Sequence, residues 1–337
     1  MAAHAPRSIA GAALAAQGRS RVRPDATVES YLGAWLSHIK ARVRARTHVG
    51  YEALISLHAI PHLGAIALEK LHPLDIQDVY ARLLDRQPPL SAGTVLNLHL
   101  VLHNAFGQAV RWGLIPANPV AGAQPPRPKR PEPRAVDADL ARQVLAAAEG
   151  TSLELPTAIA LATGMRRGEI LGLRWSDLDQ ALTVAHVRRT LQTSRAGLVF
   201  EEPKTKRSRR AVALPSFLQP YLLRQRADQE SRRKSLGTAW QGDGAIVDAG
   251  DGSPLSPDAL SAAWPRFLAK ARLPHVRFHD LRHAHATLML LQGVHPKIVS
   301  ERLGHASIGI TLDTYSHVLP GMQGEAASVF DDLFKHS

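Results

Sequence analysis

Residues Gln124 to Arg134 read QPPRPKRPEPR, and no other stretch narrows the possible folds as much. Five prolines and four basic residues in eleven strip out the backbone donors that a helix or central strand needs, so an extended, polyproline-like connection is predicted. Such a connection cannot run through a core. It divides the 337 residues into two folding units, and that length suits two cores better than one. Its charge gives it a second use: Arg127, Lys129 and Arg130 are candidates for lying along a phosphate backbone.

The unit before the connection reads as four helices over residues 25–121, following a disordered basic tail at 1–24. Val28, Tyr31, Leu32, Trp35, Leu36 and Ile39 form one apolar stripe at helical spacing. Thr47 is the expected cap of a second helix carrying Tyr51, Leu54 and Ile55, which Pro61 and Gly64 are expected to break. A third helix is predicted from Pro73, with Ile76, Val79, Tyr80, Leu83 and Leu84 inward. The fourth opens at Ser91 and carries Val95, Leu98, Leu102, Ala105, Phe106, Ala109 and Val110. Lys40, Arg42, Arg44 and Arg46 alternate across the first junction; they suit a phosphate-contacting edge, and equally a solvated loop.

Net charge points to the same class of partner. Lys and Arg number 41 against 29 acidic residues, a net charge of +12. An excess of that size favours a polyanion, because each phosphate neutralised releases a condensed counterion. Charge alone does not separate nucleic acid from an acidic membrane surface, but no apolar run approaches the roughly eighteen residues of a spanning helix. With no cysteine, disulfides and thiolate metal sites are excluded, which suits a cytoplasmic, nucleoid-associated protein.

The second unit is expected over residues 136–320, after a linker at 122–135, with a final helical segment at 321–337. Asp137 is its first cap. Helices are predicted around Ala158–Thr163 and after Gly164, and then the period changes. Leu182–Thr190, Leu198–Phe200 and Ala211–Leu214 read as short strands, and helices resume at Phe217–Arg233, Pro257–Ala271 and from His279 onward. This is a helical unit with a small antiparallel sheet inserted.

Four clusters in this unit carry possible chemistry. In ATGMRRGEILGLRWSDLD, Gly164 ends one helix and places Arg166 at the start of the next, near a positive helix terminus suited to an anion. In PKTKRSRRAVALP, five of the seven residues from Lys204 to Arg210 are basic; Lys204, Lys206 and Arg207 suit either a soluble hairpin tip or a probe entering a groove. In FHDLRHAHAT, His279 and Arg282 share a helix face, and His283 lies one turn after His279, which leaves a zinc-hydrolase reading open. Asp280 stands where that reading needs Glu, and Arg282 would sit beside the cation. In LGHASIGITLDTYSH, His305 follows Gly304 and precedes Tyr315 by ten residues; Thr314, Ser316 and His317 give that tyrosine a polar setting.

Taken in order, these clusters resemble the tyrosine recombinase (phage integrase) family: T-G-x-R-x-x-E, a strand-flanked K-T, H-x-x-R, L-G-H, then Y-S-H, over residues 25 to 320. The resemblance implies a mainly α fold: an N-terminal four-helix core-binding (SAM-like) domain, and an α+β catalytic domain of the DNA breaking-rejoining type. It implies site-specific recombination of duplex DNA through a 3′-phosphotyrosyl link at Tyr315, with no metal, cofactor or ATP. Arg166, Lys204, His279, Arg282, His305 and Tyr315 fall on the family's six catalytic positions. The arginines and His305 are implied to bind the phosphate, His279 to act as base and Lys204 as acid, with Lys206 the alternative. Glu169 is implied to orient Arg166. The implied partners are recombination sites in double-stranded DNA and three further copies of the chain, a homotetramer on DNA that is compatible with a monomer in solution. Accessory factors are compatible with it and a membrane is not. Ala326, Val329, Phe330 and Leu333 are expected to dock on a neighbouring protomer. A type IB topoisomerase and a non-catalytic DNA-binding relative remain as alternatives.

Overall fold

The computed structural model describes residues 26–128, 136–194, 197–202, 209–315 and 334. The chain forms two compact units, Met1–Pro131 and Glu132–Ser337.

In the first unit, α1 (Val28–Ile39) is capped by Thr27, whose hydroxyl accepts from Ser30 N, and it buries Val28, Tyr31, Leu32, Trp35 and Ile39. The next helix differs from its expected bounds. It starts at Ala45, with Arg44 rather than Thr47 at the cap, because hydrogen bonds from Arg42 N and Val43 N to Ile39 O close the preceding turn by Val43. Pro61 does not break it either. α2 (Ala45–Leu54) passes through a π-helical stretch (Ile55–Ala59) into α3 (Ile60–Leu63), and Ile60 N bonds Ile55 O, five residues back. The widened turn comes just before Pro61, which has no N–H to offer the α-ladder.

α4 (Pro73–Asp85) buries Ile76, Val79, Tyr80 and Leu83. Leu84, expected inward, is exposed: at about 100° per residue it lies about 80° around the helix from Ile76, off the stripe. α5 (Ala92–Arg111) is capped by Ser91 and forms the longest wall of this core. Tyr31 donates to Ala105 O at 2.5 Å, so its polar end is satisfied within the apolar packing. Lys40, Arg42, Arg44 and Arg46 are exposed at the α1–α2 corner, and Arg127 is exposed beyond a 3₁₀ turn at Pro119–Gly122. Lys129 and Arg130 lie outside the described residues.

The second unit opens with α6 (Ala138–Ala148), whose cap is Asp137 as expected, then α7 (Glu154–Thr163) and the short α8 (Arg167–Leu171). The small antiparallel sheet consists of two two-stranded ladders. β1 (Val184–Val187) pairs with β4 (Arg210–Ala213), and β2 (Thr190–Ser194) with β3 (Gly197–Glu201). The alternation expected over Leu182–Thr190 is cut between Val187 and Thr190. Arg189 there turns to bond the buried Asp177 carboxylate, at 2.7 Å. α9 (Gln219–Leu236), α10 (Pro257–Lys270), α11 (Asp280–Leu291), α12 (Pro296–Leu303) and α13 (Ile308–Tyr315) complete the described helices. α11 packs on α7, α6 and α12, so the motifs at the ends of α7, α11 and α12 converge.

Candidate active site

Two helix C-termini build the site. The last carbonyls of a helix have no partner within it and carry partial negative charge, so they recruit donors. At the end of α7, Leu161 O pairs with His285 Nδ1 (2.8 Å), Ala162 O with Arg302 Nη2 (2.7 Å), and Gly164 O with Arg282 Nη1 (2.6 Å). At the end of α12, Arg302 O accepts from Arg210 Nε (2.6 Å), and Leu303 O from Arg282 Nη2 (2.8 Å). Gly304 O lies 3.5 Å from Arg166 Nη2. Both helices end in a left-handed glycine, Gly164 at φ +63° and Gly304 at φ +67°. A Cβ would also collide there: with His285 and Leu303 at 2.6 Å from Gly164, and with Arg210 at 2.8 Å from Gly304. The glycines therefore allow the turns and the close approach of the cationic side chains.

Arg282 is 3% exposed and spans both termini with its two terminal nitrogens. Two of its five N–H groups serve the carbonyls, and the other three bond no other group among the described residues. Arg166 is bonded to Glu169, the residue that the family resemblance implied would orient it. α8 has only five residues, too short to supply much dipole, and Glu169 positions Arg166 instead. Its carboxylate accepts from Arg166 N (2.9 Å) and Nη1 (2.8 Å), and from Arg210 Nη2 (2.9 Å). Burial alone would raise the Glu169 carboxyl, but Arg210 and Arg166 outweigh it and hold the group below its ordinary value.

Three guanidiniums thus surround one buried carboxylate. Burial, with Arg166 and Arg210 nearby, pushes Arg282 down to about 9 against the opposing pull of Glu169. Guanidiniums gathered in this way can take up an anion through charge-assisted hydrogen bonds.

The remaining residues close around it. His305 Nδ1 pairs with the fully buried Thr311 Oγ1 at 2.7 Å, which fixes the ring. Burial and the three arginines push His305 down to about 4, so it is neutral at physiological pH. Tyr315 corrects its expected polar setting: it is 3% exposed and packs with Ala286, Leu290, Val299 and Leu303. Burial lifts its phenol to about 12, partly offset by Arg282. Its hydroxyl pairs with His283 Nδ1 at 2.8 Å. His279, the expected base, instead stands edge to face against His283, with ring centroids 5.4 Å apart. Burial, then His283, Arg282 and Arg166, lower His279 from its ordinary value.

Sequence reading therefore brings Arg166, Glu169, His279, Arg282, His305 and Tyr315 to one place, and misses Arg210, His283, His285, Arg302 and Thr311. The H-x-x-R-H spacing is the signal that could have marked His283. Lys204, Lys206 and Arg207 lie outside the described residues, in the segment bounded by β3 and β4. Among the described residues no three His, Asp or Glu side chains gather where a metal would bind, so the zinc reading finds no third ligand there. No helix of the described residues is long and apolar enough to cross a membrane.

Known proteins share this arrangement of units. The profile described as "Phage integrase, N-terminal SAM-like domain" matches residues 27–84, and that of the "Phage integrase family" matches residues 134–321. A tyrosine recombinase XerC-like protein of Caldanaerobacter subterraneus subsp. tengcongensis is 29% identical, over 92% of this chain and 84% of its own. In fold, the chain is similar to the Tn1549 transposon integrase in complex with a circular intermediate DNA, at a TM-score of 0.74 and 20% identity, covering 90% of this chain and 99% of that one. It is also similar to a lambda integrase tetramer bound to a Holliday junction, at a TM-score of 0.64 and 21% identity, covering 90% and 83%. With a family match over residues 134–321 that takes in the arginine cluster and Tyr315, the chain belongs to the phage integrase family.

Proposed function

We propose that this protein is a tyrosine-type site-specific recombinase that cuts and rejoins duplex DNA at the ends of a mobile element. The observation that carries the reading is the Tyr315 hydroxyl, held by an imidazole and close to Arg282, which shares a cluster with Arg166, Arg210 and Glu169. A scissile phosphate is the anion that these arginines suit. Arg166 and Arg282 meet its non-bridging oxygens with planar forks, and His305 adds a further donor. Tyr315 attacks phosphorus, keeping the bond energy in a 3′-phosphotyrosyl link, so rejoining needs no ATP. Lys204 protonates the departing 5′-oxygen, with Lys206 the alternative.

The first unit is the core-binding domain and the second the catalytic domain. Lys40, Arg42, Arg44, Arg46, Arg127, Lys129, Arg130, Lys206 and Arg207 supply phosphate contacts. Four protomers act on two sites, and the segment carrying Ala326, Val329, Phe330 and Leu333 docks between protomers. A supercoiled plasmid carrying two copies of a candidate site, taken from any direct repeat that sequencing of the DNA flanking the gene identifies, tests this. Crossover products that need both copies, and that vanish in Arg166→Ala and Tyr315→Phe, are expected. Relaxation of a repeat-free plasmid without exchange is the outcome a type IB topoisomerase gives, and it would overturn the reading.

A further inference from the structure

A buried phenol lifted to about 12 does not ionise in water before reacting; its proton must leave to a group in contact with it. Among the described residues the side chain hydrogen-bonded to the Tyr315 hydroxyl is His283, with Nδ1 at 2.8 Å and ring centroids 5.8 Å apart. His279, at the position the family resemblance marks for the base, has no hydrogen bond to that hydroxyl.

We propose that His283 is a catalytic residue of strand cleavage, its Nδ1 taking the proton from Tyr315 Oη as that oxygen attacks phosphorus. The inference rests on Tyr315 being the nucleophile. The Oη–H bond breaks and Nδ1–H forms; Oη–P forms and P–O5′ breaks; the 5′-oxygen takes a proton from the lysine of the 204–206 segment. On rejoining, the 5′-hydroxyl attacks, Oη leaves phosphorus and recovers its proton from the imidazolium. In the resting state the ring must be neutral, with its proton on Nε2, so that Nδ1 can accept.

The surroundings suit a base that starts neutral and is briefly charged. Burial lowers His283 from its ordinary value, Asp280 opposes, and Arg282 and Arg277 add to the lowering. His279 on the same helix and His305 before α13 are the other titratable groups that face it, besides Tyr315 itself. Asp280 is itself held ionised by Arg277, at 2.8 Å, so its charge is available to the imidazolium.

The test is single-turnover cleavage, by the full chain, of a nicked suicide duplex carrying a site on which the wild type forms a Tyr315-dependent adduct. His283→Asn keeps an amide oxygen near the Nδ1 position, and so keeps the hydrogen bond and the fold while removing the basicity. Its cleavage rate is expected to fall by about 100-fold or more, with duplex binding retained. The acidic limb of the wild-type pH–rate profile, lying below the ordinary histidine value of 6.5, should vanish in His283→Asn and persist in His279→Gln. A 5′-bridging phosphorothiolate substrate, whose leaving thiolate needs no proton, should rescue Lys204→Ala but not His283→Asn. His283→Asn cleaving within about threefold of wild type, keeping the acidic limb, or being rescued by the sulfur substrate would each overturn the assignment. A wild type that forms no Tyr315-dependent adduct overturns the functional reading itself, and the assignment with it.

Discussion

Replacing Glu169 with Gln keeps its shape and removes its charge. The carboxylate is 4% exposed, and the side chain of its partner Arg210 is 7% exposed, with their closest atoms 2.9 Å apart. Removing one member of a buried pair strands the other, at a cost of about 3–5 kcal/mol. The Arg166 contact adds little, under about 1 kcal/mol, because that guanidinium is 40% exposed and screened. A loss of about 3–5 kcal/mol is a large part of the roughly 5–15 kcal/mol of a typical domain. Urea unfolding followed by tryptophan emission reads it, since Trp35 and Trp112 report the first unit, and Trp175 and Trp264 the second. Only the transition of the second unit should shift. Glu169 has a depressed folded-state pKa, so its stabilisation is fully present above the ordinary value of 4.5 and is lost as pH falls through the folded value. The gap between wild type and Glu169→Gln should therefore close below pH 4.5. A gap under about 1 kcal/mol at pH 7, or one that stays constant into acid, would show that the carboxylate does not anchor the arginines.

Gly164→Ala should lower stability by at least about 2 kcal/mol in thermal unfolding, since it adds a left-handed alanine and a clash with His285 and Leu303. Arg282→Lys keeps a positive charge but loses the planar fork that spans Gly164 O, Leu303 O and the phosphate; suicide-substrate cleavage should fall by about 100-fold or more while duplex binding persists. Replacing Lys40, Arg42 and Arg46 together with Ala should flatten the dependence of log Kd on log salt, by about 0.9 for each phosphate no longer neutralised. An unchanged slope in a filter-binding titration would remove these residues from the DNA interface.

Much of the fold is written locally. The stripe from Val28 to Ile39 and the Asp137 and Ser91 caps each act on their own neighbourhood, and the structure follows them. Sequence reading fails where a distant partner decides. Alternation over Leu182–Thr190 cannot show that Arg189 turns the chain toward Asp177, and Thr47 is a good cap that a finished turn bypasses. Tyr315 is the sharpest case. Its sequence neighbours are polar, yet its surroundings come from α11 and α12, which place Ala286, Leu290, Val299 and Leu303 around it. Motif order finds the catalytic arginines and Glu169, but not the helix-end carbonyls that hold Arg282; Arg210, His285 and Arg302 become legible only once α7 and α12 end side by side.

Everything proposed for this site depends on Tyr315 becoming covalently joined to DNA. The direct measurement is to trap the full chain on nicked duplexes drawn from the DNA flanking its gene, digest the adduct, and locate the nucleotide-bearing peptide by mass spectrometry. One modified peptide is expected, joined through Tyr315 to a 3′-phosphate, and none in Tyr315→Phe. A nucleotide on any other residue, or an adduct that survives Tyr315→Phe, would contradict the assignment of Tyr315 as the nucleophile.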